Sequence, residues 1–132
     1  AVACDAPSQL FIGGQWVAAK GGRTFDVIDP STADAIATVC DADIPDAMAA
    51  VDAAAKAAAA WKATPPRRRS DVLIKCFHLL LEQAEWLARL ITVENGKALA
   101  DARSEVAYAA EFFRWYAEEA VRSPGEFGPA PS

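Results

Sequence analysis

The spacing of apolar residues changes once along this chain, close to Asp43, and that change divides a segment suited to short strands from one suited to helices. Before Asp43 the apolar residues come in short runs bounded by glycine, proline and aspartate. Leu10-Phe11-Ile12 and Trp16-Val17 flank Gly13-Gly14, and paired glycines supply the positive φ that a tight hairpin turn needs. Thr24 to Ile28 and Ala35 to Val39 are the next strand candidates. The stretch between them, Asp29-Pro30-Ser31-Thr32-Ala33-Asp34, is rich in turn formers. Two successive hairpins are expected.

After Asp43 the period is helical. Asp43 is the expected cap of a helix whose first turn accepts Pro45. Met48, Val51, Ala55, Ala58 and Trp61 recur along one side, in a segment dense in alanine, before Thr64-Pro65-Pro66 stops it. A second helix is expected from about Pro66. Val72, Leu73, Cys76, Phe77, Leu80 and Leu81 form its apolar face, which continues through Ala84, Leu87, Leu90 and Ile91 with a kink near Glu82. Asn95-Gly96 is a carboxyl-terminal stop. A last helix covers roughly 98–122, with Leu99, Val106, Ala109, Ala110, Phe113 and Tyr116 apolar, and Ser123-Pro124-Gly125 ends it. The reading is an α+β chain: two N-terminal β-hairpins followed by three to four α-helices.

In the last helix, Phe112, Phe113, Trp115 and Tyr116 spread around more than one side. A helix apolar on several sides needs several partners, and a chain this short supplies few. Either the chain is part of something larger, or ordinary core packing leaves one aromatic exposed. The composition, 53% hydrophobic and 23% charged, is that of a globular protein. A net charge of -5 argues against nucleic acid as a partner. Arg67-Arg68-Arg69, beside Pro65-Pro66, reads as a solvated helix start in preference to an anion site. No stretch is apolar enough for long enough to cross a bilayer, so no membrane partner is expected. The widely spaced Cys4, Cys40 and Cys76 are no disulfide framework. With a start that lacks signal-peptide blocks, they lead to the expectation of a reducing cytoplasm.

Chemistry is sparse. A dinucleotide site needs a glycine-rich turn between a strand and a helix. Gly13-Gly14 and Gly21-Gly22 lie in hairpin territory, and Gly96-Lys97 follows a helix. The single histidine, His78, sits in an apolar helix and reads as a packing or surface residue. Cys76 reads as a buried, inert thiol, Cys40 ends a strand, and Glu118-Glu119 point to different sides of a helix. The residues alone show no active site.

Several strings resemble the aldehyde dehydrogenase superfamily. They are Leu10-Phe11-Ile12-Gly13-Gly14-Gln15-Trp16-Val17, the stretch from Val27 to Val39, the alanine-rich block from Ala49 to Trp61, and Val93-Glu94-Asn95-Gly96-Lys97-Ala98-Leu99 with the residues up to Arg103. The stretch from Glu105 to Glu119 is most similar to the succinate-semialdehyde dehydrogenase branch. The resemblance covers about residues 10–122, and order and spacing carry it more than any one motif. Two positions depart from the family pattern. Asp29 stands for the usual asparagine, and Ala33 for the usual turn glycine, where a positive φ would strain alanine.

The resemblance implies an α/β parent fold with a cofactor-binding domain, a catalytic domain and an oligomerisation extension. Residues 1–9 would be a loose N-terminus, 10–122 the N-terminal part of the cofactor-binding domain, and 123–132 a truncated loop. It implies a thiolate that attacks a small aldehyde such as succinate semialdehyde, hydride transfer to NAD or NADP, and hydrolysis of the thioester by glutamate-activated water. It also implies a homo-oligomer at full length. The family's catalytic and nucleotide-binding residues lie beyond Ser132, so this chain carries no assignable catalytic or cofactor-binding residue. It is expected to bind no cofactor and to be inactive alone. By family position Tyr108 and Phe112 border the substrate tunnel, against plain helix packing. Glu94 and the Ile28 carbonyl match a monovalent-cation region. Two other readings remain. One is a truncated non-enzymatic chain or interaction module that docks onto a full-length relative. The other is a free-standing helical module using the aromatic helix as an anchor.

Overall fold

The structure, a computed structural model, describes residues 5–122. Cys4 and the expected ending and loop after Arg122 lie outside the described residues. Two hairpins precede four helices among those described, as the change of period at Asp43 requires. Strand β1 (Leu10–Ile12) pairs antiparallel with β2 (Gln15–Val17) through the two-residue turn Gly13-Gly14, whose φ values are 61° and 83°. Both residues must be left-handed in such a turn, which two glycines allow without strain. Phe11 and Trp16 face each other across the pair with ring centroids 4.9 Å apart.

Strand β3 (Thr24–Ile28) pairs with β4 (Ala35–Cys40), with an irregularity at Val27/Ile28 that leads into the turn. Asp29 organises that turn. Its Oδ1 accepts from the Ser31 N–H at 2.7 Å and from the Ser31 hydroxyl at 2.6 Å, which holds its carboxyl below the ordinary range. Asp29 thus serves the turn through an Asx-type contact of the kind an asparagine makes. Ala33 takes φ 62°, so alanine does occupy a left-handed position. The hairpins are tied together where the Cys40 N–H donates to the Ser8 carbonyl at 2.9 Å.

Helix α1 (Ile44–Ala63) starts at Asp43 in a reciprocal cap. Asp46 Oδ2 accepts from the Asp43 N–H, and its Oδ1 accepts from the Lys20 N–H, both at 3.1 Å. Asp46 is 3% exposed and fully partnered, so one carboxylate joins the helix start to the loop between the hairpins. Helix α2 (Pro66–Glu82) and helix α3 (Ala84–Asn95) meet at Gln83, whose N–H still donates to the Leu79 carbonyl at 3.1 Å, so the chain kinks there, beside Glu82 as expected. Gly96 caps α3 at φ 76°, and a Cβ there would come within 3.0 Å of Pro30 Cγ. Only glycine permits this approach, which seats the β3–β4 turn on the end of α3.

Helix α4 (Leu99–Glu119) packs on both α2 and α3. The core lies there: Ala88, Ala102 and Val106 are buried, with Ala84, Leu87, Ile91 and Leu99 around them. It is a core of small residues, and among the described residues no large side chain is fully buried. Met48, Val51 and Trp61 on α1 and Val72 and Leu81 on α2 are exposed, and Cys76, expected to be buried, is half-buried.

Two glycine–alanine exchanges test the backbone account in opposite directions. Ala33→Gly is expected to raise stability by about 1 kcal/mol, because it relieves a left-handed alanine. Gly96→Ala is expected to lower it by at least about 1 kcal/mol, adding the same strain and a contact with Pro30. Urea midpoints of the protein measure both, and a lower midpoint for Ala33→Gly contradicts the account.

Candidate functional site

Helix α4 presents its small residues inward and its large ones outward. Ala102, Val106, Ala110 and Ala117 are buried against α2 and α3. At 3.6 residues per turn, Tyr108, Phe112 and Trp115 fall on the opposite side, Tyr116 on a flank and Phe113 on the side facing α2. Tyr108, Phe112, Trp115 and Tyr116 are all exposed, Tyr108 by 67% and Phe112 by 47%. The reason is the sequence itself. Alanines spaced seven and eight apart make a thin stripe that lets α4 lie close to its neighbours, and the bulky residues are left on the remaining face.

The aromatic face is ordered locally. Tyr108 and Phe112, one turn apart, meet edge to face with centroids 4.9 Å apart and an interplanar angle of 84°. With Glu111, Trp115 and Tyr116 they line a groove of about 370 Å³. Every lining residue belongs to α4, so the groove has one wall. A second hollow lies between Phe112, Phe113 and Tyr116 and Leu73 of α2. The one charge in the groove, Glu111, is bridged by Arg114, whose Nη2 lies 2.5 Å from Oε2. The wall is largely apolar, with the Glu111–Arg114 pair at its rim.

The helix is held by charges at its other end. Glu85 of α3 accepts from Arg103 Nε and Nη2, both at 2.9 Å, and from Arg89 Nε at 3.2 Å. Hydrogen bonds from Arg103, then Arg89, lower the Glu85 carboxyl to about 2. Lys97 pairs with Glu105 across the α3–α4 connection. The Glu85–Arg89 pair has the helical i,i+4 spacing. The Glu85–Arg103 contact spans two helices and has no local sequence signal, so it goes unseen in a reading of the sequence.

Tyr108 and Phe112 are therefore brought together, whereas Ile28 and Glu94 are placed at a different corner. Ile28 ends β3 two residues before Pro30, Glu94 lies two residues before Gly96, and Pro30 meets Gly96. Both Ile28 and Glu94 are exposed. No group of three or more His, Cys, Asp or Glu side chains able to hold a metal occurs among the described residues. Arg67 and Arg68 are solvated at the start of α2, and His78 is exposed. Gly13 and Gly14 make a hairpin turn and Gly96 ends a helix, so none of these glycines opens a helix after a strand.

This assembly of hairpins and helices is the opening of a known fold. The succinate-semialdehyde dehydrogenase structure from Burkholderia pseudomallei superposes with a TM-score of 0.90 at 38% identity, covering 97% of this chain and 27% of that one. A betaine aldehyde dehydrogenase from Staphylococcus aureus, solved with NAD+, superposes with a TM-score of 0.94 at 26% identity over 100% of this chain and 27% of that one. The model of the aldehyde dehydrogenase family matches residues 16–132. The chain belongs to the aldehyde dehydrogenase family. It is 43% identical over 121 residues to glutarate-semialdehyde dehydrogenase of Pseudomonas putida, covering 92% of this chain and 25% of that enzyme. It is 40% identical over 121 residues to the NADP(+) succinate-semialdehyde dehydrogenase of Escherichia coli, again 92% of this chain and 25% of the enzyme. The chain thus spans about a quarter of the length of these relatives.

The Glu85 contacts carry a pH dependence. The folded carboxyl titrates near 2 against an ordinary 4.5, so its contribution is fully present above about 4.5 and is lost as pH falls towards 2. Stability measured by denaturant titration between pH 5 and pH 2 is expected to fall, and Glu85→Gln is expected to flatten part of that fall. An unchanged slope in Glu85→Gln shows that the contact does not couple α3 to α4.

Proposed function

We propose that this chain is the amino-terminal part of an NAD(P)-dependent aldehyde dehydrogenase that oxidises a small aldehyde of the succinate-semialdehyde or glutarate-semialdehyde kind to its carboxylic acid. Residues 10–122 belong to its cofactor-binding domain. One observation carries the reading: an ordered aromatic wall, Tyr108 to Tyr116, stands on the outside of a chain that spans a quarter of its relatives. The names of those relatives supply the substrate class.

In this reading Tyr108 and Phe112 form one wall of the substrate tunnel. Their rings exclude water from the aldehyde's carbon chain and hold it in line. Chemistry comes from the rest of the polypeptide. A cysteine thiolate attacks the aldehyde, the dinucleotide accepts hydride, and glutamate-activated water releases the acid. This chain, lacking those groups, is inactive alone, and the whole enzyme is a homo-oligomer. The corner of Ile28 and Glu94 is the place for a monovalent cation, whose preference for oxygen suits a carbonyl and a carboxylate. Cys40 and Cys76 are free thiols, in keeping with a reducing cytoplasm.

The test is kinetic, on the whole enzyme. It is expected to reduce NAD+ or NADP+ with succinate or glutarate semialdehyde. Phe112→Ala is expected to raise KM for the semialdehyde about tenfold, the loss of about 1.4 kcal/mol of apolar contact, with KM for the dinucleotide unchanged. If Phe112→Ala changes neither aldehyde constant, Phe112 is a packing residue. If neither semialdehyde is oxidised, the substrate class is wrong.

A further inference from the structure

Helix α1 carries a second open face, unrelated to the aromatic wall. Asp46, Ala47 and Ala50 line a hollow with Leu10, Phe11 and Ile12 of β1, and Ala53 lies 3.7 Å from the Cβ position of Gly13. This side of α1 is occupied by the first hairpin. Ile44, Met48, Val51, Ala55 and Ala58 lie on the far side. They repeat at intervals of four, three, four and three residues, the spacing by which one helix offers a seam to another. All five are exposed, Ile44 by 74% and Val51 by 60%. Beyond Asp46, α1 gains little from the described residues, among which β1 is its one substantial neighbouring element.

We propose that the Ile44–Ala58 seam of α1 is an intramolecular docking surface for a helix of the same polypeptide outside these 132 residues. This rests on the reading of the chain as part of a longer dehydrogenase. The chain spans 25% of its relatives, so three times its own length remains to supply a partner. The seam is thin at Ala55 and Ala58, so the docked helix approaches closely there and carries bulkier residues opposite them.

Thiol labelling of the whole protein tests the seam. Single variants Val51→Cys and Ala58→Cys place a small thiol on it, and Lys56→Cys places one on an exposed flank. Labelled peptides identified by mass separate these thiols from the native cysteines. A maleimide is expected to label positions 51 and 58 about a hundredfold more slowly than position 56, at every protein concentration, as burial behind a few kcal/mol of local opening requires. Labelling of all three at one rate overturns the proposal. Protection of 51 and 58 that disappears on dilution overturns it in favour of a second copy. Mass separates the two failures: a protein no longer than this chain refutes the longer-dehydrogenase reading, whereas rapid labelling in a longer protein refutes the seam alone.

Discussion

The alanine stripe of α4 is the constraint on which the rest depends. Ala102, Ala110 and Ala117, with Val106, let α4 lie against α2 and α3, and their small volume means that the contact buries little apolar surface. A helix that spends its smallest residues inward has its largest ones left for the other side. The aromatic wall from Tyr108 to Tyr116 and the absence of any fully buried large side chain among the described residues are therefore one fact. Such a helix packs on one side only among the described residues and leaves its aromatic side open.

The remaining contacts position that helix. Glu85 grips Arg103 with both oxygens and joins α3 to the first turns of α4. Gly96 ends α3 and, lacking a side chain, lets Pro30 sit against it, so the second hairpin is registered to the helices. Asp46 does the same for α1 and the loop between the hairpins, with each carboxylate oxygen given to a different backbone N–H. Polar and backbone contacts of this kind fix geometry without a large core, which is how a chain with so much open surface still has defined elements.

Most of the element order was legible in the sequence, because local chemistry decides it. Gly13-Gly14 dictates a two-residue turn, Asp43 a cap, Gly96 a stop and Pro65-Pro66 a break. Burial was less legible. The periodicity of Met48, Val51 and Trp61 marks an apolar face truly, but periodicity does not say whether the partner lies in the same stretch of chain. Contacts between distant residues also left no trace, Arg103 on Glu85 being the plainest. Ala33 was legible as a problem: a turn that wants glycine there has alanine at φ 62°, and the backbone keeps the turn's shape in spite of it. Of the site, the order of aromatics along α4 was readable, whereas their position outside the core emerged only when the alanines were seen to be inside.

An aromatic wall with one side, a seam with no partner among the described residues and a quarter of the relatives' length all support the proposal that these residues belong to a longer enzyme. The intact mass of the natural product, isolated from its own cells with an antibody against this region, tests that claim most directly. The account predicts a mass roughly four times the 14.0 kDa of this chain, in proportion to the 25% of its relatives that it covers. A product of 14.0 kDa would contradict it.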